Sequence, residues 1–207
     1  MFNSYQELFR WAKENNKNIV LVATDVQVDF VTGALANPDA QKAVPRIVKL
    51  LNYAKKFGGN VDFIFTRDTH YDEEALKKVK FFDDQRPICY RDSQEGCKLP
   101  IPHCIYGTSG WQIVPEIDIK SLGEVELVNK ESFGYKNWKR FYLDPKNDIM
   151  VFFGFCTDIC VISNVLNAKA TFPEVEFFVI ESCCAGLTPE KHNAALDVMR
   201  SCQVTVV

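Results

Sequence analysis

Six apolar runs, at residues 19–24, 61–66, 125–129, 149–153, 175–180 and 204–207, punctuate this chain, and each is nearly continuous. A strand exposed on one face alternates polar and apolar residues. Unbroken apolar runs instead belong to strands covered on both faces, as in a parallel sheet wrapped by helices. The segments between the runs supply helical patterns. Residues 45–57 place Val48, Leu51 and Ala54 on one face, with Pro45 suited to the first turn and Gly58-Gly59 to the stop. Residues 158–170 repeat this with Val161, Val165, Leu166 and Ala168, and Thr157 or Asp158 is a suitable N-cap. Residues 189–200 carry Ala195, Leu196 and Met199 on a last helix. The alternation of strand and helix makes this an α/β chain.

With 207 residues, 47% of them hydrophobic, the chain can bury one core, and a single domain over residues 1–207 is expected. A formal charge of −3 gives no electrostatic reason to expect nucleic acid or an anionic membrane as partner. No apolar run approaches the roughly 20 residues that span a bilayer. Eight cysteines would staple a short secreted domain, but this core does not need them. Residues 1–18 are amphipathic and charged, unlike a secretory signal, so a reducing cytoplasmic setting is expected. A small neutral or weakly charged molecule is the expected ligand.

One stretch breaks the alternation. Residues 71–99 are rich in charge, contain Pro87 and have few periodic positions, and with their continuation to residue 103 they read as an irregular segment. Such stretches in compact domains are functional or mobile. This one follows a strand end, where it would overhang the face at which parallel sheets bind ligands, although a solvated surface excursion fits the composition equally.

The candidate chemistry sits at strand ends. Cys160 stands one helical turn past the fourth run, where free N–H groups at a helix start favour a thiolate and an oxyanion; the plainer alternative is a small apolar core residue. Asp25 ends the first run, where lost solvation would raise a carboxyl toward the range useful for proton transfer, unless it merely caps a turn. Lys130 ends the third. Parallel strands deliver their C-terminal ends to one crevice, so Asp25, Lys130 and Cys160 can converge as a base, a cation and a thiol, the set needed for acyl transfer through a thioester. Asp68 and His70 alternate on an extended segment and, with His103 and a fourth ligand in Glu95, can hold zinc, iron or manganese, although a hydrogen-bonded turn has the same spacing. His192 falls on the polar side of the last helix and reads as surface. Cys89, Cys97 and Cys104 lack a pair spaced by two residues, which argues against a zinc knuckle. Cys183, Cys184 and Cys202 read as core.

Five blocks in order carry a resemblance: Asp25-Val26-Gln27-Val28-Asp29-Phe30, Thr66-Arg67-Asp68-Thr69-His70, Pro102-His103-Cys104-Ile105-Tyr106-Gly107-Thr108, Lys130, and Thr157-Asp158-Ile159-Cys160-Val161. The chain resembles the isochorismatase-like cysteine hydrolases and, within them, the nicotinamidases. The resemblance implies a three-layer α/β/α fold whose six parallel strands run in the order 3-2-1-4-5-6. It implies a catalytic triad at Asp25, Lys130 and Cys160, and a non-proline cis peptide between Phe155 and Cys156. It also implies a divalent ion on Asp68, His70 and His103 that holds the pyridine nitrogen of nicotinamide, with Glu95 similar to an extra ligand of some members. Zinc heads the candidates for that ion. On this reading the backbone N–H groups of Cys156 and Cys160 form the oxyanion hole and Phe30 supplies an aromatic wall, with Tyr135 as its partner. Family members commonly self-associate, so a homo-oligomer is implied.

One departure bears on substrate. Many nicotinamidases place a tryptophan shortly before the position of His103, whereas this chain reads Lys98-Leu99-Pro100-Ile101. Hydrolysis of another small amide, such as a carbamoyl or ureido compound, therefore stays open. So does a non-enzymatic, flavodoxin-like module that binds a ligand in the same crevice.

Overall fold

Every one of the six apolar runs forms a strand, and all strand pairs are parallel, in the order β3-β2-β1-β4-β5-β6. The structure is a computed structural model that describes residues 2–80 and 86–207. In chain order its elements are α1 (Tyr5–Glu14), β1 (Asn18–Thr24), α2 (Val28–Val31), α3 (Pro38–Lys56), β2 (Val61–Asp68), α4 (Glu73–Lys78), α5 (Gln94–Lys98), β3 (Val125–Lys130), β4 (Asp148–Phe155), α6 (Ile162–Thr171), β5 (Glu176–Ala185), α7 (Pro189–Ser201) and β6 (Thr205–Val206). Successive strand residues face opposite sides of a sheet, yet Ile19 to Ala23 are all at most 4% exposed. Both faces of β1 are therefore covered, which gives the three layers and explains why the sequence shows runs instead of alternation.

Helix boundaries follow local chemistry that periodicity alone does not reveal. α3 begins seven residues before Pro45, because Asn37 accepts hydrogen bonds from the N–H groups of Asp39 (2.8 Å) and Ala40 (3.3 Å) and Pro38 occupies the first turn. Pro45 is thus inside the helix, and Ala40, Ala43, Val44 and Ile47 extend the buried stripe through it. The expected cap of α6 is also corrected. Residues 157–161 form a π-type turn in which the Val161 N–H reaches back to the Cys156 carbonyl at 3.0 Å, and neither Thr157 nor Asp158 caps the helix. β5 runs five residues beyond its expected end at Ile180, so that Cys183 and Cys184 lie on the strand and are buried, while Cys202 is half-buried.

The segment at 71–103 is less irregular than its composition suggests. It contains α4, capped by Asp72, and α5, capped by Ser93; its residues 81–85 lie outside the described residues. All eight cysteines are free, and among the described residues no helix is long and apolar enough to cross a membrane.

The strand order reverses between β1 and β4, and open parallel sheets bind ligands at the C-terminal ends of strands flanking such a reversal. Asp25 follows β1 and Cys160 follows β4. Lys130 ends β3, two strands away from β1, and only a long side chain can cross β2 to reach them.

Candidate active site

Three strand-end residues meet below the reversal point. Lys130 Nζ lies 2.6 Å from Asp25 Oδ2, 3.4 Å from Asp68 Oδ1 and 3.7 Å from Cys160 Sγ. Asp25 is fully buried, and its left-handed backbone (φ 48°) turns its side chain back toward β2, where the Thr66 hydroxyl donates to Oδ1 at 2.7 Å. Cys160 is 4% exposed and borders a cavity of about 180 Å³. The structure thus brings together all three residues expected to converge.

The charges of this cluster are unequal. Burial favours the neutral form of both carboxyls. At Asp68 the pull of Lys130, with hydrogen bonds from His103 and His70, outweighs burial and holds the group well below the usual carboxylate range. At Asp25 burial prevails over Lys130, and the nearby Asp68 charge adds to it, so this carboxyl is raised. Burial alone would discharge Lys130, but Asp25 and Asp68 keep it protonated well above its ordinary value. Burial also pushes the Cys160 thiol well above its ordinary value, against the pull of Lys130. A thiol beside a carboxylate of raised basicity and a fixed cation is arranged to pass its proton to that carboxylate as its sulfur attacks.

Beside this cluster, Asp68, His70, Glu95 and His103 turn one ligand atom each to a common point, all within 4.8 Å of one another. His70 Nε2 is 3.0 Å from Asp68 Oδ2, and His103 Nε2 is 3.6 Å from the same oxygen and 3.4 Å from Glu95 Oε1. Donors around one ion with bonds of about 2.0–2.1 Å have such separations. His103 gives its Nδ1–H to the Ile101 carbonyl at 2.9 Å, which leaves Nε2 as the atom facing the cluster, the arrangement of a metal-binding imidazole. Burial would lower the His103 pKa, yet hydrogen bonds to Asp68 and Glu95 raise it to about 10. Two imidazoles and two carboxylates converging in this way fit a divalent ion.

The ligating side chains are fixed from below. Gln27, fully buried, accepts from the Asp68 N–H at 2.7 Å and donates to the Asp68 carbonyl at 2.9 Å. Asp29 accepts from the Cys104 N–H at 2.7 Å, and the His70 and Tyr106 backbones pair the segment after His103 with β2's continuation. Gln27 and Asp29 were not singled out from sequence as site residues. Their signal was present in the spacing, since they follow Asp25 at two and four residues in an otherwise apolar stretch.

Asp68, Glu95, His103, Cys156 and Cys160 border the same cavity. Phe30 lines it with its ring 5.8 Å from that of His103. Tyr135 does not: it packs against Trp138 at 5.4 Å and Phe141 at 6.4 Å, held by a hydrogen bond from its N–H to Asn164 Oδ1 at 2.9 Å. Phe133 takes the place expected for it, together with Leu35, Leu99 and Ile159. The Phe155–Cys156 peptide is cis. His192, expected at the surface, is half-buried, with Nδ1 2.8 Å from the Thr157 hydroxyl.

A parallel six-stranded sheet with a cysteine, an acid and a lysine gathered at the strand reversal places the chain in the α/β class with a strand-end site. Residues 19–207 match the isochorismatase domain family, and the chain belongs to that family. No curated protein matches the sequence. Among solved structures, a nicotinamidase from Bacillus subtilis is similar with a TM-score of 0.68 and 22% identity over 92% of this chain and 99% of that one. The pyrazinamidase of Pyrococcus horikoshii in complex with zinc has a TM-score of 0.65 and 21% identity, over 92% and 98% of the two chains. The N-carbamoylsarcosine amidase of Thermoplasma acidophilum has a TM-score of 0.62 and 21% identity, over 91% and 95%. At these identities the likeness is one of fold.

Proposed function

We propose that the protein is a cysteine amidohydrolase that converts nicotinamide, or a closely similar flat aromatic amide, to the acid and ammonia. One observation carries this reading: a single small cavity is bordered on one side by Cys160 and on another by the Asp68, Glu95 and His103 donors, between apolar walls that include Phe30 and Phe133. An aromatic amide with a ring lone pair presents a carbonyl to the first and the lone pair to the second. In the first half-reaction Cys160 passes its proton to Asp25 as the sulfur bonds to the amide carbon, and the carbonyl electrons move to oxygen, where the N–H groups of Cys156 and Cys160 receive them. Each such donor contributes on the order of 3 kcal/mol. Collapse breaks the C–N bond, and Asp25 returns the proton to the departing nitrogen, which leaves as ammonia. Asp25, again a carboxylate, then takes a proton from water as its oxygen attacks the thioester, and the acid is released with the Cys160 thiol restored. Lys130 keeps its charge throughout and orients Asp25. A divalent ion on Asp68, His70, Glu95 and His103, with zinc the first candidate ahead of iron and manganese, would supply a Lewis acid that fixes the ring nitrogen.

A second reading has its own support. Leu99 stands in the wall, and Lys98, which has no ion-pair partner among the described residues, also borders the cavity. These suit a carbamoyl compound that bears a carboxylate. Ammonia release from a panel of nicotinamide, pyrazinamide and N-carbamoyl amino acids, with and without a chelator, tests both. Nicotinamide turnover at least tenfold above the rest, lost with chelator, supports the first; preference for the carbamoyl compounds supports the second; inactivity on all of them returns the crevice to a binding role.

A further inference from the structure

The turn that carries Cys156 and Cys160 is held from behind by a set of contacts that the hydrolytic scheme does not use. Thr157 is fully buried, and its hydroxyl lies 2.8 Å from His192 Nδ1 in the first turns of α7. Asp158, next in sequence, accepts a hydrogen bond from the Leu187 N–H at 2.9 Å. Between these two contacts passes Gly186, whose carbonyl accepts from Asn37 Nδ2 at 2.8 Å. A Cβ on Gly186 would come within 2.9 Å of both Asp158 Oδ1 and His192 Cβ, so the connection from β5 to α7 lies directly against the turn. Thr157 and Asp158 are the residues that a helix start would use as caps, and both instead turn away from their own helix toward α7 and the loop before it.

We propose that His192 and Thr157 are a positioning pair that fixes the peptide between Cys156 and Thr157, and through it the orientation of the proposed oxyanion donor at Cys156. The inference rests on the cysteine-hydrolase reading. The Cys156 carbonyl is itself engaged, accepting from the Ile159 N–H at 3.1 Å and the Val161 N–H at 3.0 Å, so the turn has bonds on its own side and the Thr157 hydroxyl supplies one from the other. A turn so short, free on its outer side, can rotate about the Cys156–Thr157 unit. Oxyanion donors act through preorganisation, and a small rotation of one N–H weakens it in the transition state far more than in the ground state. His192 touches no part of the cavity, so its contribution falls on kcat and leaves substrate binding nearly unaltered.

The test uses His192→Leu, His192→Asn and Thr157→Val in the whole protein. An asparagine places an amide oxygen or nitrogen close to where Nδ1 sits, whereas leucine offers no polar atom. We expect His192→Leu to lower kcat about tenfold with KM changed less than about twofold, the size of one lost hydrogen bond. His192→Asn should recover most of that loss. Thr157→Val should match His192→Leu, and the double variant should add less than about twofold to either, as coupled partners do. Unchanged kcat in His192→Leu, equal losses in leucine and asparagine variants, or losses that multiply in the double variant would each overturn the pairing. Hydrogen exchange of a peptide over residues 153–162 is the second measurement and needs no substrate. Faster exchange in His192→Leu, reversed in His192→Asn, supports the clamp even if the wild-type protein hydrolyses none of the amides tried; identical exchange in all variants rejects it. Failure of the hydrolase reading shows instead as wild-type inactivity with this exchange pattern intact.

Discussion

Two buried carboxylates contend for the one ammonium of Lys130, and their different surroundings make them unequal in basicity. Asp68 also receives the histidines, whereas Asp25 has Thr66 and the thiol, so Asp25 is the more basic of the two carboxylates. Three predictions lie at this scale. Cys160→Ala should lower turnover by at least about four orders of magnitude, because Cys160 is the cavity thiol that Lys130 contacts beside Asp25, and trapping of an acyl-enzyme by mass spectrometry should fail with it. In the proposed reaction the carboxylate of Asp25 accepts the proton, and burial raises its pKa above the ordinary 3.8. Activity should therefore be lost as pH falls through a value above 3.8, and Asp25→Asn should abolish activity across the whole pH range, which kcat/KM profiles will measure. Lys130→Met removes the ammonium held between two buried acids and should cost about 3–5 kcal/mol in urea denaturation, reduced where one acid takes up a proton.

At the scale of elements, the strands were legible from the apolar runs because burial on both faces leaves a simple mark, whereas their order was implied only by the family resemblance and is set by tertiary pairing. The caps were not. Pro45 reads as a helix start and stands in mid-helix, since Asn37 and Pro38 make a better start upstream. Thr157 and Asp158 read as caps and serve tertiary bonds. Tyr135 reads as a pocket wall, but the loop after β3 turns it onto Trp138 and offers Phe133 to the cavity. In each case a local pattern permits two uses and a distant partner selects one. The junction of β1 with β4 depends on Gly154, whose φ is +122° and whose added Cβ would meet the Thr24 carbonyl oxygen at 2.0 Å. Gly154→Ala should destabilise the fold by about 3 kcal/mol or more, seen as a lower denaturation midpoint or as insoluble protein.

For the molecule as a whole, the donor cluster joins β2, α5 and the segment that ends at His103, three parts with separate routes through the chain. An ion that binds only the folded state stabilises it by about 2.7 kcal/mol at a hundred times its Kd. Chelation should therefore lower the Tm together with activity, zinc should restore both, and His103→Ala should abolish the dependence of Tm on zinc in scanning calorimetry.

The amino-acid sequence by itself determined the class of fold, the strand ends at which chemistry is possible and the residue types available there, because apolar periodicity and residue chemistry are local properties. Tertiary structure alone decided which of them meet. It set the 2.6 Å contact of Lys130 with Asp25, the convergence of Asp68, His70, Glu95 and His103, and the docking of His192 on the turn that carries Cys160. These are distances between segments remote in the chain, and only the packing of the sheet and its helices fixes them.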